Sequence, residues 1–87
     1  MKESDFREKA IDMVIESYNE LVEVTDQYVI TEDDVYIVWM CSILGNNKAL
    51  LSTTVPDGMY YEVTHNNKTG ELYLDGYKKL IHKEYQL

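Results

Sequence analysis

The run Val35-Tyr36-Ile37-Val38-Trp39-Met40-Cys41-Ser42-Ile43-Leu44 constrains the fold more than any other part of this 87-residue chain. Nine of its ten residues are apolar, and β-branched and aromatic side chains dominate it, which favours an extended strand over a helix. Apolar side chains fall on both alternating faces. Such a run suits a central strand, or a strand whose second face is covered by a helix or a partner.

Turn signals follow it at short intervals. Gly45-Asn46-Asn47-Lys48 is the first, because Gly and Asn tolerate the positive φ of tight hairpins. In Pro56-Asp57-Gly58 the proline presets φ and the glycine accepts a left-handed exit. Asn66-Asn67-Lys68-Thr69-Gly70 is the third. Strands are expected between them, from Ala49 to Thr54, Met59 to His65 and Glu71 to Asp75. In the second of these, Met59, Tyr61 and Val63 alternate with Tyr60, Glu62 and Thr64, the pattern of a half-buried strand.

Residues 5–23 have the helical period instead. Asp5 followed by Glu8 resembles a capping box with a carboxylate in place of the usual hydroxyl. Phe6, Ala10, Ile11, Met13, Val14, Ile15, Tyr18, Leu21 and Val22 cover an arc of roughly 200° at about 100° per residue. That is wider than packing on one surface needs, so the helix is expected to meet the sheet and also a C-terminal helix or a second subunit. Residues 24–34 read as a connection, with a short extended piece at Tyr28-Val29-Ile30. From Tyr77, the residues Leu80, Ile81 and Tyr85 sit at helical offsets with Asp75 as a cap, although a continuing strand fits there too. The expectation is a single α+β domain over 1–87: an N-terminal helix on a four-stranded antiparallel meander, with a short C-terminal helix.

Charge is distributed unevenly. Residues 1–34 hold eleven acids against Lys2, Arg7 and Lys9, a net of −8, whereas residues 35–87 are balanced at five and five. An acidic N-terminal third repels phosphates, which disfavours direct nucleic-acid binding through that surface. The single cysteine, Cys41, excludes an internal disulfide and a multi-cysteine zinc site, and fits a reducing cytoplasm. Basic residues near Met1 are not followed by an apolar leader, and no run approaches a membrane span. A cytoplasmic protein is expected.

Four stretches carry a family likeness: Val38-Trp39-Met40-Cys41, Lys48-Ala49-Leu50-Leu51-Ser52-Thr53-Thr54, Pro56-Asp57-Gly58-Met59-Tyr60-Tyr61-Glu62-Val63-Thr64, and Tyr73-Leu74-Asp75 with Tyr77-Lys78-Lys79. In these the chain resembles a family of small uncharacterised proteins from tailed phages and prophages of Gram-positive bacteria. The resemblance implies a phage-encoded accessory protein made inside the infected host. It carries over no functional residue.

Two surfaces stand out as candidates. Glu8, Asp12, Glu16 and Glu20 recur every fourth residue, with Glu23 close by. Like charges at this spacing cost a helix a few tenths of a kcal/mol per pair, so the ladder is either a solvated face or a docking face for a basic surface on a host or phage protein. The second candidate comes from the eight tyrosines. Tyr60, Tyr73 and Tyr77 are expected near one side of the sheet, with Tyr36 and Tyr61 elsewhere. Together with Lys78, Lys79 and Lys83 they suggest a nucleotide-type ligand held by a homodimer or higher oligomer, by stacking and phosphate contact. Lys68 and His82 extend this basic group. Cys41 is expected to be buried and inert, and Glu62 and His65 to face opposite ways. No catalytic residues, metal ligands or cofactor are expected. The leading expectation is a non-catalytic binder acting through the acidic face.

Overall fold

The computed structural model describes residues 1–21 and 29–86. Its elements are helix α1 (Glu3–Leu21), a single 3-10 turn (Glu32–Asp34), and strands β1 (Val35–Ile43), β2 (Asn46–Thr53), β3 (Met59–His65) and β4 (Leu72–Lys78). The strands form one antiparallel sheet in the order β1-β2-β3-β4. The α+β class and the meander therefore stand as expected. The helix starts two residues earlier than the capping pattern indicates, because the Phe6 N–H donates to the Lys2 carbonyl at 2.9 Å. Glu3 and Asp5 then lie in its first turn, where negative charge favours the helix dipole. Val22, Glu23 and Tyr28 lie outside the described residues, while Val29 and Ile30 belong to no strand.

One face of the sheet receives α1. Phe6, Ala10 and Val14, each four residues apart, are buried against Val35, Ala49, Leu51, Tyr61 and Val63, and Ile30 closes the core. Ile11, Met13, Ile15 and Tyr18 pack at the margins. The wide apolar arc is thus used largely by the breadth of the sheet. Asn19 ties the returning chain to the helix, with Nδ2 donating to the Ile30 carbonyl at 3.2 Å and Oδ1 accepting from the Ile30 N–H at 3.0 Å.

The C-terminal helix is not present. Tyr77 and Lys78 remain in β4, opposite Tyr60 and Met59, and the Lys79 N–H continues the ladder to the Gly58 carbonyl at 2.8 Å. Asp75, the expected cap, sits mid-strand opposite Glu62. Beyond Lys79, Leu80, Ile81 and Tyr85 are exposed. A helix this short depends on packing an apolar face, and Leu80, Ile81 and Tyr85 pack on nothing among the described residues.

The first hairpin turns earlier than expected. Leu44 and Gly45 form its tip with φ of 52° and 81°, and Asn46 and Asn47 already belong to β2. Two consecutive positive φ values are what a two-residue hairpin requires. A Cβ on Gly45 would also lie 2.9 Å from Asn67 Nδ2. At the same end, Asn46 Oδ1 accepts from the Asn67 N–H at 2.8 Å, joining the β1–β2 and β3–β4 turns.

The most apolar strand, β1, lies at the edge of the sheet and not in its centre. Its pairing jumps from Ile37↔Leu51 to Trp39↔Leu50, leaving Val38 as the extra residue of a β-bulge. The bulge resets the alternation. Val35, Ile37 and Met40 serve the core, and Tyr36, Trp39, Cys41 and Ile43 fall on the other face, which no element covers among the described residues.

Candidate functional site

The acidic ladder sits where helical spacing puts it. Glu8, Asp12, Glu16 and Glu20 are all exposed on α1, away from the Phe6-Ala10-Val14 ridge. Among the described residues the one ion pair joins Lys48 Nζ to Glu62 Oε1 at 3.4 Å, so none of the four helix carboxylates forms an ion pair. Glu23 lies outside the described residues.

Between α1 and β4 the ladder borders an open hollow of about 260 Å³. Met13 and Leu74 supply its apolar surface, and Glu16, Ser17 and Glu20 its polar surface. Such a mixture matches a long basic side chain, whose methylene stem takes apolar contact while its cation meets carboxylates. Period alone finds the carboxylates, but not Leu74, which only the packing of α1 on the sheet brings alongside.

The tyrosines divide by register. Tyr60 pairs directly with Tyr77, Thr64 with Tyr73, and Tyr36 with Ser52, which places Tyr36, Tyr60, Tyr73 and Tyr77 on the outward face. Tyr36 therefore joins the other three, contrary to expectation. Tyr61 alone of these turns into the core, where burial, and after it the charge of Asp57, raises its hydroxyl pKa. Tyr73 donates to Glu71 Oε2 at 2.6 Å, and that bond is the main cause of its own raised pKa.

The lysines do not form one patch. Lys79 Nζ stands 6.0 Å from the centroid of the Tyr60 ring, at the outer limit of a cation–π contact. Lys78 is opposite Met59, so alternation sends it to the helix side of the sheet. Lys83 and His82 lie on the exposed tail, and Lys68 belongs to the turn at the opposite end of β4. The structure gathers Tyr60, Tyr77 and Lys79, and leaves Lys78, Lys83 and Lys68 apart.

Cys41 is exposed, not buried. Its strand is apolar on both faces, and Cys41 belongs to the uncovered one, opposite Lys48. A second hollow, about 230 Å³, lies beside it with Ile43, Leu44 and Thr64 in its lining. Glu62 and His65 do face opposite ways. Glu62 pairs outward with Lys48, whereas His65 is buried on the helix side, its Nδ1 without a hydrogen-bond partner among the described residues. No group of three or more potential metal ligands occurs among the described residues, and no described helix is long and apolar enough to cross a membrane.

These features define a small α+β protein with one helix on a four-stranded antiparallel sheet, acidic on its helix side and aromatic on its bare side. The chain belongs to a family of unknown function, DUF6275, which matches it over residues 7–87. The match takes in most of α1 as well as the sheet, more of the chain than the sequence motifs cover. No curated protein and no solved structure matches it.

Proposed function

We propose that this protein is a non-catalytic binder, an accessory protein of phage or prophage type working in the host cytoplasm, which docks the acidic side of α1 onto a basic surface of a host or phage protein. One observation carries the reading: the hollow in which Glu16 and Glu20 adjoin the apolar surface of Met13 and Leu74. An arginine or lysine of the partner fits there, and Glu8 and Asp12 extend the same negative stripe along the helix. Exposed charges of this kind steer association and set specificity more than they add affinity. Because they are screened beyond about 8–10 Å at physiological ionic strength, binding weakens as salt rises.

The test reverses two charges, Asp12→Lys with Glu16→Lys, in a tagged protein used to capture partners from nuclease-treated bacterial lysate. The expected outcome is loss of a stoichiometric partner that the unchanged protein releases at moderate salt. Retention of that partner by the double variant removes the reading.

A nucleotide-type ligand held by the protein as an oligomer is the second reading. It is favoured by the contact between Lys79 and Tyr60 and by the adjacency of Tyr77. The separation of Lys78 from this group weakens it, and neither hollow includes the three tyrosines first assigned to it.

A further inference from the structure

An antiparallel sheet that meets water on one face ordinarily alternates apolar-in with polar-out. On β1 that rule fails. The outward positions carry Tyr36, Trp39, Cys41 and Ile43, with Trp39 42% and Ile43 65% exposed. Leu50 continues this surface on β2, Tyr60 on β3, and Tyr77, 53% exposed, on β4. We propose that this outward face packs against the same face of a second copy, giving a two-fold symmetric, back-to-back homodimer.

Area, charge and topology all favour a second copy. Four strands about 4.8 Å apart, each seven to nine residues long at about 3.3 Å per residue, present a face of about 19 by 25 Å. The planar area is about 475 Å² per copy, and side-chain relief adds to it, bringing it toward the roughly 800 Å² per partner of a standard stable interface. Tyrosine and tryptophan are the residue types enriched at such surfaces.

The chain carries a net charge of −8, so most self-contacts oppose like charges. The outward face is nearly balanced: Lys48 and Lys79 stand against Glu62, Asp75 and, beside Tyr73, Glu71. Facing sheets lie about 10 Å apart, which leaves the two acidic helices on opposite outer surfaces, beyond the screening length of about 8 Å. Sideways addition at β1 is disfavoured, because the bulge at Val38 breaks its free edge. The dimer is independent of the acidic docking reading and leaves both α1 faces open to partners.

Light scattering coupled to size exclusion, run from about micromolar to millimolar protein, is expected to give twice the 10.2 kDa chain mass. Trp39→Lys and Leu50→Lys, tested separately, are each expected to give monomers with unchanged far-ultraviolet circular dichroism. Asp12→Lys with Glu16→Lys should remain dimeric. Cys41 supplies a second readout: in the wild-type dimer its thiol should label at least about tenfold more slowly than in the monomeric Leu50→Lys variant. A wild-type monomer at every concentration overturns the proposal. So does a folded Trp39→Lys or Leu50→Lys dimer, or Cys41 labelling as fast in the wild-type dimer as in the monomeric Leu50→Lys variant, since each would place the contact elsewhere.

Discussion

Leu44 occupies the tip of the β1–β2 hairpin at φ 52°, where the Cβ of an L-residue crowds the following carbonyl oxygen. Its side chain is 93% exposed, so the core gains nothing in return. Asn tolerates this conformation better, and Asn-Gly is a favoured pair for such a turn. Leu44→Asn is therefore expected to stabilise the protein by about 0.5–1 kcal/mol. A thermal melt would register this as a rise of about 2–8 °C for a domain of this size. Asp34 shows the opposite economy, one residue holding several. Its Oδ2 accepts from the Thr31 N–H and its Oδ1 from the Thr54 hydroxyl, both at 3.0 Å, and its carbonyl accepts the Thr54 N–H at 2.8 Å. The Thr31 bond, and after it the Thr54 hydroxyl, holds the carboxyl pKa below its ordinary value. A depressed native pKa stabilises the fold fully above the unfolded value of about 3.9. That stabilisation is lost as pH falls through the lower native value. Asp34→Asn should accordingly melt earlier than wild type at pH 7, and the gap should narrow below about pH 4. A gap that stays constant down to pH 2 would show that the carboxylate charge is not its source.

At the scale of elements, α1 is held by a narrow ridge laid on a broad sheet. Phe6, Ala10 and Val14 are completely buried, and the small Ala10 lets the helix approach the strands closely. Phe6 is the largest of the three, and Phe6→Ala is expected to cost about 3–5 kcal/mol. That is a large share of the about 4–13 kcal/mol available to a domain of this size, so the urea midpoint should collapse. The β1 bulge acts at the same scale. By one inserted residue it turns Met40 inward and Trp39 outward, and no periodicity in Val35–Leu44 reveals where the extra residue falls. The tail illustrates the converse. The helical offsets of Leu80, Ile81 and Tyr85 are present in the sequence, but an offset makes a helix only where a surface receives it, and these side chains are exposed.

The whole molecule is thin, with extents of 46 × 36 × 19 Å, consistent with one helix layer on one sheet. Its radius of gyration, 14.4 Å, exceeds the about 12 Å of a compact chain of this length, in keeping with the exposed segment beyond Lys79. Two layers give the molecule two dissimilar sides. One carries the helix with its carboxylates Glu8, Asp12, Glu16 and Glu20; the other is bare sheet, aromatic and nearly balanced in charge. That polarity separates the two proposals. Charge reversal on α1 tests docking to a foreign partner, and lysine at Trp39 or Leu50 tests self-association.

The sequence by itself determined the elements governed by neighbours along the chain. These are the helix with its carboxylate ladder, the strand at Met59–His65 with its alternation, and the turns at 56–58 and 66–70. Each rests on backbone preference or local period, which a linear reading can measure. Only the tertiary structure decided what depends on distant residues. It placed the most apolar strand at the sheet edge and Tyr36 with Tyr60, Tyr73 and Tyr77. It separated Lys78 from Lys79 and set Leu74 beside Glu16 and Glu20. It also kept the C-terminal segment from becoming a helix. The physical reason is common to all of these: the sequence records how apolar a side chain is, and only packing decides which surface, if any, covers it.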